Sequence, residues 1–98
     1  MIKKNYYSGN EKCRVWFYLP PEANAETAHL VGDFNQWNTQ SHPLKEKKDG
    51  TFYIALTLDV GKSYQFRYLL DGERWENDWE ADQYVPNELG TENSVVNV

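Results

Sequence analysis

Short segments in which apolar and polar residues alternate constrain the fold of this sequence more than any other feature. In the segment 12–19, the odd-numbered residues from Cys13 to Leu19 are apolar and share one face. This period of two is the pattern of a half-buried β-strand. The same pattern returns at residues 51–58 and at residues 63–70. No segment of comparable length has a helical period, so the pattern predicts an all-β chain.

Turn-forming residues separate these segments. Pro20-Pro21 ends the first strand, because proline cannot donate to a β-ladder. Asp49-Gly50 and Asp71-Gly72 are hairpin signals at the ends of alternating segments. Further predictions are a helical turn within 23–28, short strands at 29–32, 44–48 and 94–98, and a mostly irregular segment at 73–93. Short strands interrupted by turns predict a β-sandwich.

The length of 98 residues allows one domain. The polar segment 1–11, which contains Ser8-Gly9-Asn10, is predicted to be a flexible lead-in, and residues 12–98 are predicted to form the single sandwich. The chain begins with Met1 and ends with its last predicted strand, so we expect a complete small protein, with an excised domain as the alternative.

The charge and composition of the chain argue against some classes of binding partner. The net charge is −5, whereas binding to a nucleic-acid backbone requires a basic face. No apolar run approaches the ~18 residues of a membrane span, and no signal peptide is visible. The single cysteine, Cys13, cannot form an internal disulfide, which favours a cytoplasmic location. We therefore expect neither nucleic acid nor membrane as a partner.

Tryptophan is unusually frequent, with four residues in the chain. Trp16 belongs to a predicted strand, whereas Trp37, Trp75 and Trp79 lie among polar or charged neighbours. Indole rings beside amides, carboxylates and guanidinium groups are typical of a sugar-binding site. The axial C–H groups of a glucose ring pack on the indole face, and its hydroxyls form hydrogen bonds with the planar polar groups. A tryptophan beside a turn can equally cover one end of a sandwich. From residue chemistry alone both interpretations of Trp37 and Trp75 stay open, and Trp79 is undecided.

Catalytic and metal chemistry find little support in the sequence. The acidic segment from Glu73 to Asp82 contains the paired carboxylates that glycosidases use, but a solvated acidic loop is the preferred interpretation. A small sandwich also lacks the cleft that a glycosidase needs to distort its substrate. His29 and His42 have no partner at metal-ligand spacing. We expect no enzyme activity, no cofactor and no metal.

Three ordered motifs resemble those of the family 48 carbohydrate-binding modules, the isoamylase N-terminal or early set domains. They are Val-Gly-Asp-Phe-Asn-Gln-Trp at 31–37, Tyr-Gln-Phe-Arg-Tyr-Leu-Leu-Asp-Gly at 64–72, and Leu-Gly-Thr-Glu-Asn at 89–93. The resemblance extends from about Lys12 to Val98 and includes similarity to the glycogen-binding domain of the AMP-activated kinase β subunit. It implies an immunoglobulin-like β-sandwich that binds α-1,4-glucans such as glycogen, starch or maltooligosaccharides.

The resemblance also implies individual roles. Trp37 and Trp75 match the two tryptophans that stack on glucose, and Arg67 matches a basic residue beside the sugar. Leu89 matches a leucine that reaches through the sugar chain, and Asn93 an asparagine that hydrogen-bonds its hydroxyls. The sequence departs from the kinase relatives in two places: Arg67 replaces a lysine, and one extra residue precedes Trp75.

A rival hypothesis assigns the chain a different partner. Early set domains also serve as interaction modules. In this hypothesis the partner of the chain is a glucan-metabolising enzyme, and the sugar site is vestigial. The acidic segment resembles the tail of modules attached to branching or debranching enzymes. Exposed edge strands of a sandwich could pair with such a partner.

Overall fold

Two antiparallel β-sheets pack face to face in the computed structural model, which describes residues 1–98. The strands are β1 (Ile2–Tyr6), β2 (Lys12–Leu19), β3 (Ala28–Gly32), β4 (Lys45–Glu46), β5 (Phe52–Asp59), β6 (Ser63–Leu70), β7 (Arg74–Glu76), β8 (Gln83–Pro86) and β9 (Glu92–Asn97). One sheet has the order β1-β2-β5-β4, and the other has the order β3-β6-β9-β8 with β7 also paired to β6. The predicted all-β, immunoglobulin-like sandwich is confirmed.

The core lies between the sheets and is built from the alternating positions of the central strands. Cys13, Val15 and Phe17 of β2 are fully buried, as their alternation predicts. Phe17 meets Phe66 of β6 edge to face, with ring centroids 5.1 Å apart. Edge-to-face contact between rings adds to the hydrophobic stabilisation of the core.

The N-terminal prediction was wrong for residues 2–6. The segment 1–11 was expected to be a flexible lead-in, but Ile2–Tyr6 forms β1 and pairs antiparallel with β2 from Ile2–Phe17 to Tyr6–Cys13. Strand β1 has little apolar alternation of its own. Its pairing comes from the free edge of β2, which a local pattern does not reveal.

The mostly irregular segment predicted at 73–93 contains two short strands. Arg74–Glu76 pairs with the end of β6, and Gln83–Pro86 pairs with β9. The predicted helical turn at 23–28 is replaced by a three-residue 3-10 helix at Pro21–Ala23. No helix in the structure is long and apolar enough to cross a membrane.

The interpretation of the acidic segment as a solvated loop was wrong for Asp78, which is 1% exposed. Its carboxylate accepts hydrogen bonds from the Tyr68 hydroxyl at 2.7 Å and from the Met1 α-ammonium at 2.6 and 2.7 Å. Its backbone N–H donates to Ser94 Oγ at 2.9 Å. A buried charge requires such pairing, since an unpaired carboxylate in the interior is strongly unfavourable.

Candidate functional site

The five side chains predicted to form a site come together on the outer side of the β3-β6-β9-β8 sheet. Trp37, Arg67, Trp75, Leu89 and Asn93 line one open depression of about 390 Å³, together with Asn87 and Glu88. The two tryptophans therefore face the same surface, although 38 positions of chain separate them.

Trp37 is held by a tight turn that follows β3. Gln36 and Trp37 both have left-handed backbone conformations, with φ of 53° and 57°, which side-chain-bearing residues adopt only at a cost of about 1–2 kcal/mol each. The Trp37 N–H donates to the Gly32 carbonyl at 2.9 Å, and its indole Nε1 donates to Asp33 Oδ1 at 3.0 Å. The other Asp33 oxygen accepts from the Gln65 N–H at 2.8 Å, so the turn is tied to β6.

A buried amide stabilises this strained turn. The Asn35 Oδ1 accepts from the Gly32 N–H at 3.0 Å, and its Nδ2 donates to the Leu30 carbonyl at 3.0 Å. Gly32 itself has no room for a side chain, because a Cβ there would lie 2.5 Å from the Gln65 carbonyl oxygen. The motif at 31–37 thus combines a close strand contact with a locked turn that presents the indole.

Arg67 and Trp75 form a pair on neighbouring strands. The Arg67 guanidinium carbon lies 5.6 Å from the Trp75 ring centroid, within the range of a cation–π interaction. Trp75 is 41% exposed, and its position in β7 opposite Leu69 fixes where the ring leaves the sheet. The buried Nε of Arg67 has no hydrogen-bond partner within the protein. The Nε itself is shielded from the surface, whereas Arg67 as a whole lines the depression.

The loop between β8 and β9 presents Leu89, which is 85% exposed. The Oδ1 of Asn87 accepts from the Leu89 N–H at 2.9 Å and from the Thr91 N–H at 3.2 Å. The Asn87 N–H donates to the Thr91 carbonyl at 2.9 Å. Asn87 therefore organises the loop that carries Leu89. The sequence analysis missed this role, although an asparagine followed by Glu-Leu-Gly is a recognisable turn signal.

Asn93 lies at the floor of the depression and is 9% exposed. Its Oδ1 accepts from Asn87 Nδ2 at 3.1 Å, and its Nδ2 donates to Gln65 Oε1 at 3.1 Å. A primary amide has two N–H donors, so one remains for a ligand. Gln65, which orients this amide and also contacts Asp33, is a second residue that the sequence analysis missed.

The other two tryptophans lie elsewhere. Trp79 is 50% exposed and lines a separate depression with Tyr18, Pro20 and Pro21. Trp16 lies on the outer side of the β1-β2-β5-β4 sheet, stacked against Tyr18. The structure thus separates Trp37 and Trp75 from the remaining pair.

A family model for carbohydrate-binding module 48, the isoamylase N-terminal domain, matches residues 6–85 of the chain. The chain belongs to this family. The match includes Trp37, Arg67 and Trp75 of the module, whereas Leu89 and Asn93 lie beyond its end.

Relatives of the module include 1,4-alpha-glucan branching enzymes. The enzyme from Butyrivibrio fibrisolvens is 28% identical over 84 residues, which cover 85% of this chain and 13% of that enzyme. The enzyme from Saccharomyces cerevisiae is 62% identical over 34 residues, which cover 34% of this chain and 5% of that enzyme. The chain therefore spans only a small part of the length of these relatives.

A solved structure shares the fold of the module. The enterochelin esterase from Shigella flexneri aligns with a TM-score of 0.70 and 11% sequence identity, covering 98% of this chain and 32% of that one. At this identity the similarity shows the sandwich fold alone. The family match identifies the chain as a carbohydrate-binding module, a non-catalytic class of domain.

Proposed function

We propose that this module binds α-1,4-linked glucans such as glycogen, starch or maltooligosaccharides, and that it does so without catalysis. The observation that carries the proposal is the convergence of Trp37, Arg67, Trp75, Leu89 and Asn93 on one depression. Membership in the family and the branching-enzyme relatives support the choice of an α-glucan.

The two indoles supply the apolar part of binding. Trp37 and Trp75 each offer a ring to the C–H side of a glucose unit, and each contact is worth roughly 0.5–1.5 kcal/mol beyond area burial if pairs of aromatic rings are a guide. Both rings are held before a ligand arrives, Trp37 by Asp33 and Trp75 by Arg67. Preorganisation of this kind lowers the entropy that binding must overcome.

The polar part of binding comes from Arg67 and Asn93. The Arg67 guanidinium, which lines the depression, donates to a sugar hydroxyl or ring oxygen, and the free N–H of the Asn93 amide donates to another. Leu89 projects from its loop into the curve of a helical α-glucan, which explains how such an exposed leucine can be useful. A shallow site of this size binds a single chain weakly and gains from repeated contacts along a polymer.

The lining of the depression argues against hydrolysis. A glycosidase requires two carboxyl groups about 5–10 Å apart, and Glu88 is the single carboxylate that lines this depression. The buried Asp78 is already engaged by Tyr68 and by the Met1 amine.

A titration with maltoheptaose, monitored by tryptophan fluorescence and calorimetry, tests the proposal. Trp37→Ala and Trp75→Ala should each weaken binding by about tenfold or more, since loss of one stacking contact and its buried area removes about 1.4 kcal/mol or more. Trp79→Ala, an equally drastic change at an exposed indole, is the matched control and should leave the affinity unchanged. Cellohexaose, whose β-1,4 linkage gives a straight chain, should not bind.

Two results would contradict the proposal. One is the absence of any response of the wild-type module to maltoheptaose or glycogen. The other is an affinity that the Trp37 and Trp75 variants retain while a circular-dichroism spectrum shows that they are folded.

A further inference from the structure

The outer side of the β1-β2-β5-β4 sheet carries a ladder of aromatic rings and cations. The Trp16 and Tyr18 rings stack with centroids 6.5 Å apart and planes 11° apart. The Arg14 guanidinium lies 5.2 Å from the Trp16 centroid. The Lys47 ammonium lies 5.2 Å from the Tyr18 centroid and 5.5 Å from that of Tyr53. Each of these three rings therefore has a cation within the range of a cation–π interaction.

Two further lysines join this ladder through the strand register. Lys3 lies opposite Trp16 and Lys45 lies opposite Tyr53, and residues directly opposite in an antiparallel pair project from the same face. We call this surface the basic aromatic face; its residues are Lys3, Arg14, Trp16, Tyr18, Lys45, Lys47 and Tyr53.

None of the four cations of the basic aromatic face forms a salt bridge. Asp49 is the carboxylate whose pKa is lowered by hydrogen bonds from Thr51 and by the charge of Lys47. Glu46 lies opposite the inward-facing Phe52 and so belongs to the other side of its strand. Asp59, at the far end of β5, is paired with Lys12 and Lys62. The face holds four cations, whereas the rest of the chain has six basic side chains against fifteen acidic ones. Four of the ten basic side chains of an acidic molecule therefore share this one face.

A depression of about 330 Å³ lies within this face. The residues that line it are Arg14, Trp16, Pro43, Lys45, Tyr53, Ile54 and Ala55. Aromatic and aliphatic groups mix with two cations around this depression. Protein interfaces place their strongest contacts in such desolvated pockets, with charged groups around them.

We propose that the basic aromatic face docks an acidic segment of a partner protein, with one apolar side chain of that segment in the depression. Four cations match a short acidic segment, and charge complementarity of this kind steers encounter and fixes register. A sugar chain is not favoured, because no amide side chain lines this depression to pair with sugar hydroxyls. A long polyanion would be repelled by the acidic remainder of the molecule, because charges interact over about 8 Å in physiological salt.

The two sheets place this surface opposite the depression that holds Trp37 and Trp75. Both outer sides are accessible at once, so an acidic partner and a glucan can bind together. The module would then connect a protein to a polysaccharide. The docking surface stands on its own geometry and does not depend on the proposed glucan site.

Fluorescence anisotropy with a fluorescein-labelled Glu-Glu-Leu-Glu-Glu peptide tests the proposal. The Lys45→Gln plus Lys47→Gln variant should bind this peptide about tenfold more weakly, since each lost charge pair removes up to about threefold to fivefold in affinity. Lys48→Gln plus Lys62→Gln removes the same charge from turns outside the face and should change the affinity less than about twofold. A Gln-Gln-Leu-Gln-Gln peptide should not bind, and saturating maltoheptaose should not displace the acidic peptide.

Several results would overturn the proposal. One is equal peptide affinity in the two double variants, which would show that net charge and not the basic aromatic face determines binding. Another is binding that survives at about 300 mM salt without loss, because contacts between exposed charges weaken as the screening length falls. Tighter binding to single-stranded oligonucleotides or to phosphatidylserine vesicles than to the acidic peptide would also overturn it. Failure of maltoheptaose binding alone would bear on the glucan site and leave this surface intact.

Discussion

Tyr68 and Asp78 meet between the two sheets, where the tyrosine hydroxyl donates a 2.7 Å hydrogen bond to the carboxylate. Both side chains are buried. Burial raises the pKa of Tyr68 well above its usual value, and the negative charge of Asp78 and the hydrogen bond raise it further. The contact joins the centre of β6 to the acidic segment that follows β7, and the Met1 amine joins the same carboxylate.

Loss of this hydrogen bond should destabilise the module. Tyr68→Phe is expected to lower the free energy of unfolding by about 2 kcal/mol, because it removes a buried hydrogen bond to a charged group. Urea unfolding near neutral pH measures the change. Tyr53→Phe, which removes a hydroxyl from the sheet exterior, should have an effect within about 0.5 kcal/mol.

The same contact predicts the behaviour in alkali. The unfolded chain ionises this tyrosine near its usual pKa of 10.0, whereas the folded protein keeps the proton to higher pH. The stabilisation from Tyr68 is therefore complete below about pH 10 and is lost as the pH rises towards its folded-state pKa, at up to about 1.4 kcal/mol per pH unit. The free energy of unfolding of Tyr68→Phe should fall less steeply above pH 10 than that of the wild type. Equal slopes would show that Tyr68 does not titrate differently in the two states.

Arg67→Met should separate binding from stability. The change keeps an unbranched apolar side chain but removes the cation over Trp75 and the unpartnered Nε. Affinity for maltoheptaose should fall by about tenfold, the effect of losing one charge-assisted hydrogen bond. Stability should fall by no more than about 1 kcal/mol, the value of the cation–π contact with Trp75, because the buried Nε has no protein partner to lose. Arg14→Met, the same substitution on the opposite sheet, should leave glucan affinity unchanged.

Asn87→Ala should weaken glucan binding by loosening the loop that carries Leu89. We expect a loss of about fivefold in affinity together with faster amide hydrogen exchange at Leu89 and Thr91. Asn87→Asp keeps the acceptor oxygen for both amides but loses the donor to Asn93 Oδ1, so it should retain more of their protection than Asn87→Ala does. An unchanged exchange rate in Asn87→Ala would exclude the proposed organising role.

Gly32→Ala should destabilise the chain by about 3 kcal/mol, since a new Cβ would overlap the backbone of β6. Gly61→Ala provides the comparison. Its Cβ would meet open space, and only its φ of +84° makes the change unfavourable, by about 1 kcal/mol. Thermal or urea unfolding of both variants checks the order. A Gly32→Ala variant as stable as Gly61→Ala would mean that β3 and β6 can separate at little cost.

Much of the fold follows from local pattern. Strands β2, β5 and β6 lie within one residue of the alternating segments, because side chains on a strand project to opposite faces in turn. Strands β1, β7 and β8 lack this alternation. They form because neighbouring strands offer free backbone groups, and this information is not contained in their own residues.

The candidate site likewise contains residues that the sequence predicts and residues that it does not. The neighbours of Trp37 and Trp75 in the chain, together with the family motifs, were sufficient to single out these residues and Arg67. The roles of Asn87 and Gln65 depend on hydrogen bonds that cross from one loop or strand to another. The side chains that reach the surface were therefore predictable from the sequence, whereas those that hold them in place were not.

Alternation, turns and motifs in the sequence suffice to predict an all-β sandwich and the residues that its motifs present. The shared surface of Trp37 and Trp75 and the interior position of Asp78 emerge in the folded chain. The physical reason is the range of the interactions. Alternation and turns act between residues near in the chain, whereas the burial of a carboxylate depends on Tyr68, Ser94 and Met1, which approach it only when the two sheets close.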